Sequence, residues 1–151
     1  MFISNYKILE DKFISKKDRF KLNKSNLIQL KKDFLNSNIL ITGAAGSIGS
    51  HFVKRFNQFN FRKLILIDKD ENQLTELNRE LLLLFSKKKI NKLFFICSDI
   101  NFLDLQKFII KYNVTHYMNF AAIKHVRSEE QLESIKYMFS TNSKNFLTNK
   151  K

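Results

Sequence analysis

The amino-acid sequence predicts an α/β fold, in which helices cover a doubly wound parallel sheet of about four strands. Short apolar runs alternate with segments whose apolar residues recur at helical spacing, a pattern typical of strands buried on both faces. The three glycines of the chain, Gly43, Gly46 and Gly49, fall between the first predicted strand and the first predicted helix. Because a chain of 151 residues has only these glycines and no proline, each glycine is expected where few other residues fit.

The predicted strands are four short apolar runs, residues 39–42, 64–67, 93–97 and 116–120. Aspartates close the second and third runs. Right-handed crossovers between parallel strands give the order 3-2-1-4 and place ligands at the carboxyl ends of the strands. Cys97 ends the third run and is expected to be a small buried apolar side chain. As the one cysteine of the chain, it has no partner for an internal disulfide.

Apolar residues at helical spacing predict the helices that connect these strands. The first helix carries Ile48, Phe52, Phe56 and Phe59, the second carries Leu74, Leu77, Leu81 and Leu84 and ends at lysines 87–89, and the third carries Leu105, Phe108 and Ile109. A last helix is predicted to begin at Ser128, because Ser-Glu-Glu-Gln offers a capping hydroxyl followed by acidic residues.

The first 36 residues differ in composition from the rest of the chain. They hold nine lysines and arginines against four acidic residues, and their apolar residues are sparse. The spacing of Leu27, Leu30, Phe34 and Leu35 predicts one short amphipathic helix. We expect residues 1–36 to be a basic helical lead-in that packs against a single domain formed by residues 37–151.

A net charge of +13 would suit a protein that binds nucleic acid or an anionic membrane. The lysines are scattered along the whole chain, however, and Asn, Ile and Phe are frequent together with Lys, as an A/T-rich genome would produce. Nucleic acid is therefore not a favoured partner. No apolar run approaches the ~20 residues that cross a bilayer. The charged N-terminus does not fit a signal peptide, so a cytoplasmic protein without a membrane span is expected.

The sequence Thr-Gly-Ala-Ala-Gly-Ser-Ile-Gly, residues 42–49, joins a predicted strand to a predicted helix. In a Rossmann-like unit the first glycine permits a tight turn, the second lets backbone N–H groups approach a pyrophosphate, and the third lets the helix pack closely. The plainer interpretation is that the glycines only end a strand and begin a helix. Asp68 closes the next strand 19 residues after Gly49, where its carboxylate can bind the adenosine ribose and favour NAD over NADP. Lys69 would instead suit the 2′-phosphate of NADP.

The GxxGxxG spacing resembles the extended short-chain dehydrogenase/reductase superfamily, most of whose members act on nucleotide sugars. Three further segments follow in the family's order: residues 63–68, residues 98–100, and residues 119–126 with the sequence Asn-Phe-Ala-Ala-Ile-Lys-His-Val. Together, over residues of about 25 to 145, they resemble the CapD-like polysaccharide biosynthesis family of nucleotide-sugar 4,6-dehydratases and epimerases. The resemblance implies the N-terminal, cofactor-binding portion of such an enzyme, with a UDP-N-acetylhexosamine as its substrate.

This resemblance also implies roles for individual residues. Gly43, Gly46, Ser47, Ile48 and Gly49 would line the pyrophosphate, Asp68 the adenosine ribose, Asp99 and Ile100 the adenine, and Ala121 and Ala122 the nicotinamide-side ribose. Lys124 would point towards the nucleotide sugar, although Lys124 and His125 would also suit a solvated basic pair on a loop. Asn142 matches a family position and is expected to be structural, while His51 is expected on the surface. No metal site is predicted.

Catalysis in this family uses a tyrosine whose pKa is lowered by a lysine four residues later. The four tyrosines of this chain are followed at that distance by Glu10, His116, Ala121 and Thr141. No catalytic residue is therefore assigned, and the chain is expected to bind NAD or NADP without turnover on its own. The alternative is a free-standing regulatory or partner module that binds a dinucleotide without chemistry. A basic nucleic-acid-binding domain on the same scaffold is the third hypothesis.

The predicted strand order leaves the fourth strand at an edge of the sheet. An apolar edge strand presents unpaired backbone groups to which another chain can add. We therefore expect a homo-oligomer, or a partner chain that covers this edge.

Overall fold

The computed structural model describes residues 23–123 and 131–144. The chain divides into two compact units, residues 1–30 and residues 31–151. The helices and strands of the described part are α1 (Lys24–Asp33), β1 (Asn38–Thr42), α2 (Ser47–Arg55), β2 (Lys63–Asp68), α3 (Glu71–Leu84), α4 (Lys87–Ile90), β3 (Leu93–Cys97), α5 (Leu105–Tyr112), β4 (His116–Asn119) and α6 (Leu132–Phe139). Among these helices, none is long and apolar enough to cross a membrane.

The four strands form one parallel sheet in the order β3-β2-β1-β4, which confirms the predicted fold class and strand order. β1 lies between β2 and β4, with Ile39 opposite Leu64 on one side and His116 on the other. All five residues of β1 are buried, in keeping with its apolar sequence. Within the described ranges β4 pairs with β1 alone, so the predicted edge is present.

Helices cover the two faces of the sheet. Leu40, Ile65 and Ile67 form a buried cluster with Leu105 of α5 on one face. Because side chains alternate along a strand, their neighbours face the opposite side. Right-handed crossovers place α2 and α3 on that opposite side, where α3 contacts β2, β3 and α2. The arrangement is doubly wound, as the sequence predicts.

β3 is less buried than its apolar sequence indicates. It forms an edge of the sheet, with β2 as its neighbour, and Phe94 is 38% exposed. The prediction that Cys97 is buried is wrong, since its side chain is exposed. The reason is its place at the end of an edge strand, where the thiol donates to the Lys69 carbonyl oxygen at 3.6 Å.

The helix boundaries differ from the prediction where aromatic residues join the core. α2 ends at Arg55, a 3-10 turn (Phe56–Gln58) follows it, and Ile48 is 59% exposed rather than part of the buried stripe. α3 ends at Leu84 because Phe85 turns to an extended backbone and buries its ring, so the three lysines lie in a separate helix, α4.

The predicted start of the last helix at Ser128 lies outside the described residues. α6 begins at Leu132, since the preceding Gln131 has an extended backbone with φ −125° and ψ 138°. At the other end of the chain, the helix expected near residue 30 is α1, which Asn23 caps by accepting a 2.7 Å hydrogen bond from the amide of Asn26. Leu35 follows the helix and is exposed. The division into residues 1–36 and 37–151 stays a prediction.

Asparagine takes the left-handed positions that glycine usually occupies at helix ends. Asn36 follows α1 with φ +60°, and Asn113 ends α5 with φ +49°. Asparagine is the non-glycine residue that tolerates this conformation best. The three glycines of the chain therefore all lie in one segment, residues 43–49, between β1 and the start of α2.

Candidate functional site

A cleft of about 360 Å³ opens where the carboxyl ends of the strands meet. Its walls come from the glycine-rich turn after β1, from the residues that follow β2, β3 and β4, and from α6 and the π-helical turn Ser140–Lys144. A cleft at this edge is where a doubly wound sheet binds ligands. Its position thus agrees with the topology.

The glycine-rich turn needs glycine at two positions for reasons internal to the protein. Gly43 has φ +66°, and a Cβ there would lie 2.3 Å from the Ala121 nitrogen. A Cβ at Gly49 would lie 2.0 Å from the Gly43 carbonyl oxygen. At Gly46, by contrast, the nearest atom to an added Cβ is the Gly43 oxygen at 3.5 Å, an ordinary contact. The protein itself therefore does not require glycine at position 46.

Asp68, at the end of β2, holds the glycine-rich turn. Its Oδ2 accepts a hydrogen bond from the Ala45 amide at 2.9 Å, and its Oδ1 accepts one from the Asp70 amide at 3.1 Å. The carboxylate is half-buried and lines the cleft. Each carboxylate oxygen has a second lone pair with which to accept from a ligand hydroxyl.

Asp99 connects the end of β3 to α6. Its Oδ1 accepts from the Asn101 amide at 2.9 Å, and its Oδ2 accepts from the Tyr137 hydroxyl. Burial raises the pKa of the Asp99 carboxyl, but the hydrogen bonds from Tyr137 and Asn101 and the charge of Lys69 outweigh it, so the pKa lies below its ordinary value. The hydrogen bond to Asp99, together with burial, raises the pKa of the Tyr137 hydroxyl, which stays a donor.

The loop after β4 is held by two asparagines. Asn119 Oδ1 accepts from the Thr42 hydroxyl at 2.7 Å and from the Ala121 amide at 3.0 Å. Asn142 accepts from the Ile123 amide at 2.9 Å and donates to the Ile123 carbonyl at 2.8 Å. Asn142 thus satisfies the backbone of the loop directly before Lys124, a structural contact of the kind expected for it.

Nine of the eleven residues predicted to bind the cofactor line this one cleft: Gly43, Gly46, Ser47, Asp68, Lys69, Asp99, Ile100, Ala121 and Ala122. The other two, Ile48 and Gly49, do not line it, because Ile48 points to solvent and Gly49 is buried in the helix packing. Lys124 and His125 lie outside the described residues. His51 is exposed.

Several residues that line the cleft were missed by reasoning from sequence. Asp70 caps α3 and Gln73 lies in its first turn, and their proximity to Asp68 in sequence was an available signal. Tyr137 lies on α6 and Thr141 in the turn after it. They contact Asp99 and Asn101, which follow β3 and lie 38 and 40 residues earlier in the sequence. No local pattern reveals such a contact. In the described ranges, no group of three or more His, Cys, Asp or Glu side chains is placed to hold a metal ion.

Comparison with known proteins adds sequence evidence to this geometry. Residues 39–144 match the profile of a family described as "Polysaccharide biosynthesis protein". Over 79 residues the chain is 30% identical to the capsular polysaccharide biosynthesis protein CapD of Staphylococcus aureus, an alignment that covers 52% of this chain. The chain spans only 13% of the length of that relative.

Solved structures share the fold at lower identity. Pen from Bacillus thuringiensis is 23% identical with a TM-score of 0.58, over 73% of this chain and 31% of that one. A UDP-N-acetylglucosamine 4-epimerase from Methanobrevibacter ruminantium is 22% identical with a TM-score of 0.55, over 76% and 33%. A short-chain dehydrogenase/reductase from Mycobacterium ulcerans is 13% identical with a TM-score of 0.61, over 76% and 44%. These likenesses show the fold, and the match over residues 39–144 shows that the chain belongs to the polysaccharide biosynthesis protein family.

Proposed function

We propose that the cleft binds a nicotinamide dinucleotide and that residues 37–151 are the cofactor-binding portion of an enzyme acting on nucleotide sugars, with residues 1–36 as a basic lead-in. The observation that carries the proposal is that a Cβ at Gly46 would meet no atom of the described fold closer than 3.5 Å. Gly43 and Gly49 are explained by backbone atoms 2.0–2.3 Å from their missing Cβ atoms, whereas Gly46 is not. A glycine that its own fold does not need is expected where a ligand approaches the backbone.

The ligand that suits this position is a pyrophosphate. Gly46 is the N-cap of α2, whose first-turn N–H groups have no partners within the helix. Such N–H groups and the positive end of the helix dipole favour a phosphate. Ser47 lines the cleft beside Gly46 and offers a hydroxyl to the same group.

The remainder of the cleft suits the adenosine half of the cofactor. Asp68 can accept from the ribose hydroxyls, and the buried Ile100 offers an apolar wall for the adenine. NAD is favoured over NADP, because among the described residues that line the cleft the carboxylates of Asp68, Asp70 and Asp99 outnumber the cation of Lys69 and would repel a 2′-phosphate. Ala121 and Ala122 leave room for the nicotinamide-side ribose.

Calorimetric titration of the folded chain with NAD and with NADP tests the cofactor proposal. Binding is expected for at least one of them, and NAD should bind more tightly. A folded sample that binds neither dinucleotide would refute the assignment. Nucleic-acid binding that persists at high salt would favour the basic-domain hypothesis, because purely electrostatic binding weakens steeply as salt rises.

The finer proposal is a UDP-N-acetylhexosamine 4,6-dehydratase or epimerase for surface polysaccharide biosynthesis, in which Lys124 faces the nucleotide sugar. It is supported by the family match and by the similarity to CapD. Since the sequence contains no Tyr-x-x-x-Lys pair, this chain alone should leave UDP-N-acetylglucosamine unchanged when incubated with NAD and NADP. Chromatographic detection of a product would contradict that expectation.

The absence of the Tyr-x-x-x-Lys pair also favours a second candidate, a regulatory or partner module that binds a dinucleotide without chemistry. The two are separated by adding a second chain that carries Tyr-x-x-x-Lys and the family's substrate-binding region. Conversion of the nucleotide sugar in that mixture would support the proposal that this chain is the cofactor-binding portion of an enzyme. For either candidate we propose a cytoplasmic location and a homo-oligomer or partner chain at the β4 edge.

A further inference from the structure

Tyr137 is the aromatic residue that α6 places in the wall of the cleft. It lines the same cleft as Asp99 and Ile100, the residues proposed to lie against the adenine. Its side chain is 38% exposed, so part of the ring is accessible from the cleft.

Two contacts hold the Tyr137 ring in one orientation. Its hydroxyl donates to Asp99 Oδ2, and the Lys69 ammonium lies 5.5 Å from the ring centroid. A cation at this distance from an aromatic ring is attracted to it. Both anchoring residues line the same cleft, so the ring is held within the cleft wall.

The turn that follows α6 is also fixed to the end of β3. Ser140 Oγ donates to Asn101 Oδ1 at 2.7 Å, and Asn101 Nδ2 donates to Thr141 Oγ1 at 2.8 Å. These bonds tie the helix that carries Tyr137 to the turn that carries Asp99. A side chain ordered before binding loses little further conformational freedom when the ligand arrives.

We propose that Tyr137 is an adenine-contacting residue, whose ring packs against the base of the bound nucleotide while Lys69 and Asp99 hold it in place. The inference rests on the dinucleotide proposal and adds the residue that recognises the base. Flat aromatic rings and nucleobases attract each other by stacking. If Tyr137 only shields Asp99, its ring makes no contact with the base.

The test compares three variants by calorimetric titration with NAD and with AMP. Tyr137→Ala should weaken binding of both ligands by roughly 5- to 150-fold, the range for loss of one base–aromatic contact. Tyr137→Phe keeps the ring and should stay within about 3-fold of wild type, because stacking needs the ring rather than the hydroxyl. Phe139→Ala is the matched control, since Phe139 is a 63% exposed aromatic residue on the same helix that does not line the cleft. Its affinities should equal those of wild type.

NMR of tyrosine-labelled protein gives a second measurement that does not depend on the stability of the alanine variant. The signal that disappears in Tyr137→Phe should shift on addition of AMP, and the signal of Tyr112 should not. Wild-type affinity in Tyr137→Ala, or an unmoved Tyr137 signal while AMP binds, would overturn this inference alone. If wild-type protein binds neither NAD, NADP nor AMP, the dinucleotide proposal fails and this inference fails with it.

Discussion

Replacement of Gly46 by alanine separates a ligand requirement from a folding requirement. Gly46 has φ −64° and ψ 168°, a conformation that alanine adopts without strain. An added Cβ would meet only the Gly43 oxygen at 3.5 Å. The cost to folding should be below about 1 kcal/mol, the difference between glycine and alanine as an N-cap residue. For a chain of this size that shifts the melting temperature by no more than about 4 °C.

The effect of Gly46→Ala on dinucleotide affinity should be far larger. The methyl group would stand between the α2 N-terminus and the pyrophosphate, and would displace at least one N–H···phosphate bond. A hydrogen bond to a charged group contributes about 1.5–3 kcal/mol, so affinity for NAD should fall by roughly 10- to 150-fold. Gly49→Ala is the contrasting variant, because its Cβ would lie 2.0 Å from a backbone oxygen. It should lose about 1–3 kcal/mol of folding stability from overpacking.

Thermal unfolding without ligand and calorimetric titration with NAD measure the two effects separately. If Gly46→Ala binds NAD as tightly as wild type, the backbone at residue 46 does not approach the phosphates and the pyrophosphate does not bind there. If Gly46→Ala instead unfolds as readily as Gly49→Ala, glycine at position 46 serves the fold.

Three further predictions follow from the described contacts. The single thiol, Cys97, is exposed, so it should react fully with a thiol reagent in the native protein at a rate close to that in urea; a buried thiol would react only after unfolding. Tyr137→Phe should cost less than about 1 kcal/mol at neutral pH. Because folding lowers the pKa of Asp99, the contribution of this carboxylate to folding stability is complete above its ordinary pKa of 3.8 and is lost as the pH falls through the folded pKa. The difference in folding stability between wild type and Tyr137→Phe should therefore shrink in acid. A difference that stays constant in urea titrations down to pH 2 would contradict the hydrogen bond between Tyr137 and Asp99. Among the described residues β4 pairs with β1 alone, and this open edge should make the isolated chain associate. Light scattering after size exclusion should therefore report more than a monomer at tens of micromolar, whereas a monodisperse monomer would show that the edge is covered within the chain.

The sequence predicted the sheet correctly, because the signals for parallel strands are local. The first three strands are short apolar runs closed by Gly43, Asp68 and Asp99 in turn, and right-handed connections leave little choice of order. The same local signals predicted most of the cofactor-binding residues that line the cleft, since the carboxyl ends of parallel strands meet at one edge of the sheet. Asn36 and Asn113 carried a further usable signal, because asparagine is a known substitute for glycine at helix ends.

Burial and helix ends were harder to predict, because apolar composition does not say which strand is an edge. Cys97 and Phe94 look as apolar as the residues of β1, yet β3 has a neighbour on one side only in the described part of the chain. Phe85 ends α3 because its ring is buried in the core. The end of this helix therefore depends on tertiary packing rather than on helical spacing.

The amino-acid sequence by itself determined the fold class, the strand order and the glycine-rich turn, since all three follow from local spacing and backbone conformation. Only the tertiary structure decided which glycine has room for a Cβ and which side chain of α6 enters the cleft. Those answers depend on distances between atoms far apart in the chain: the Ala121 nitrogen above Gly43, and the Tyr137 hydroxyl on Asp99. Such contacts form only when β4 and α6 pack beside β1 and β3, so no local sequence pattern predicts them.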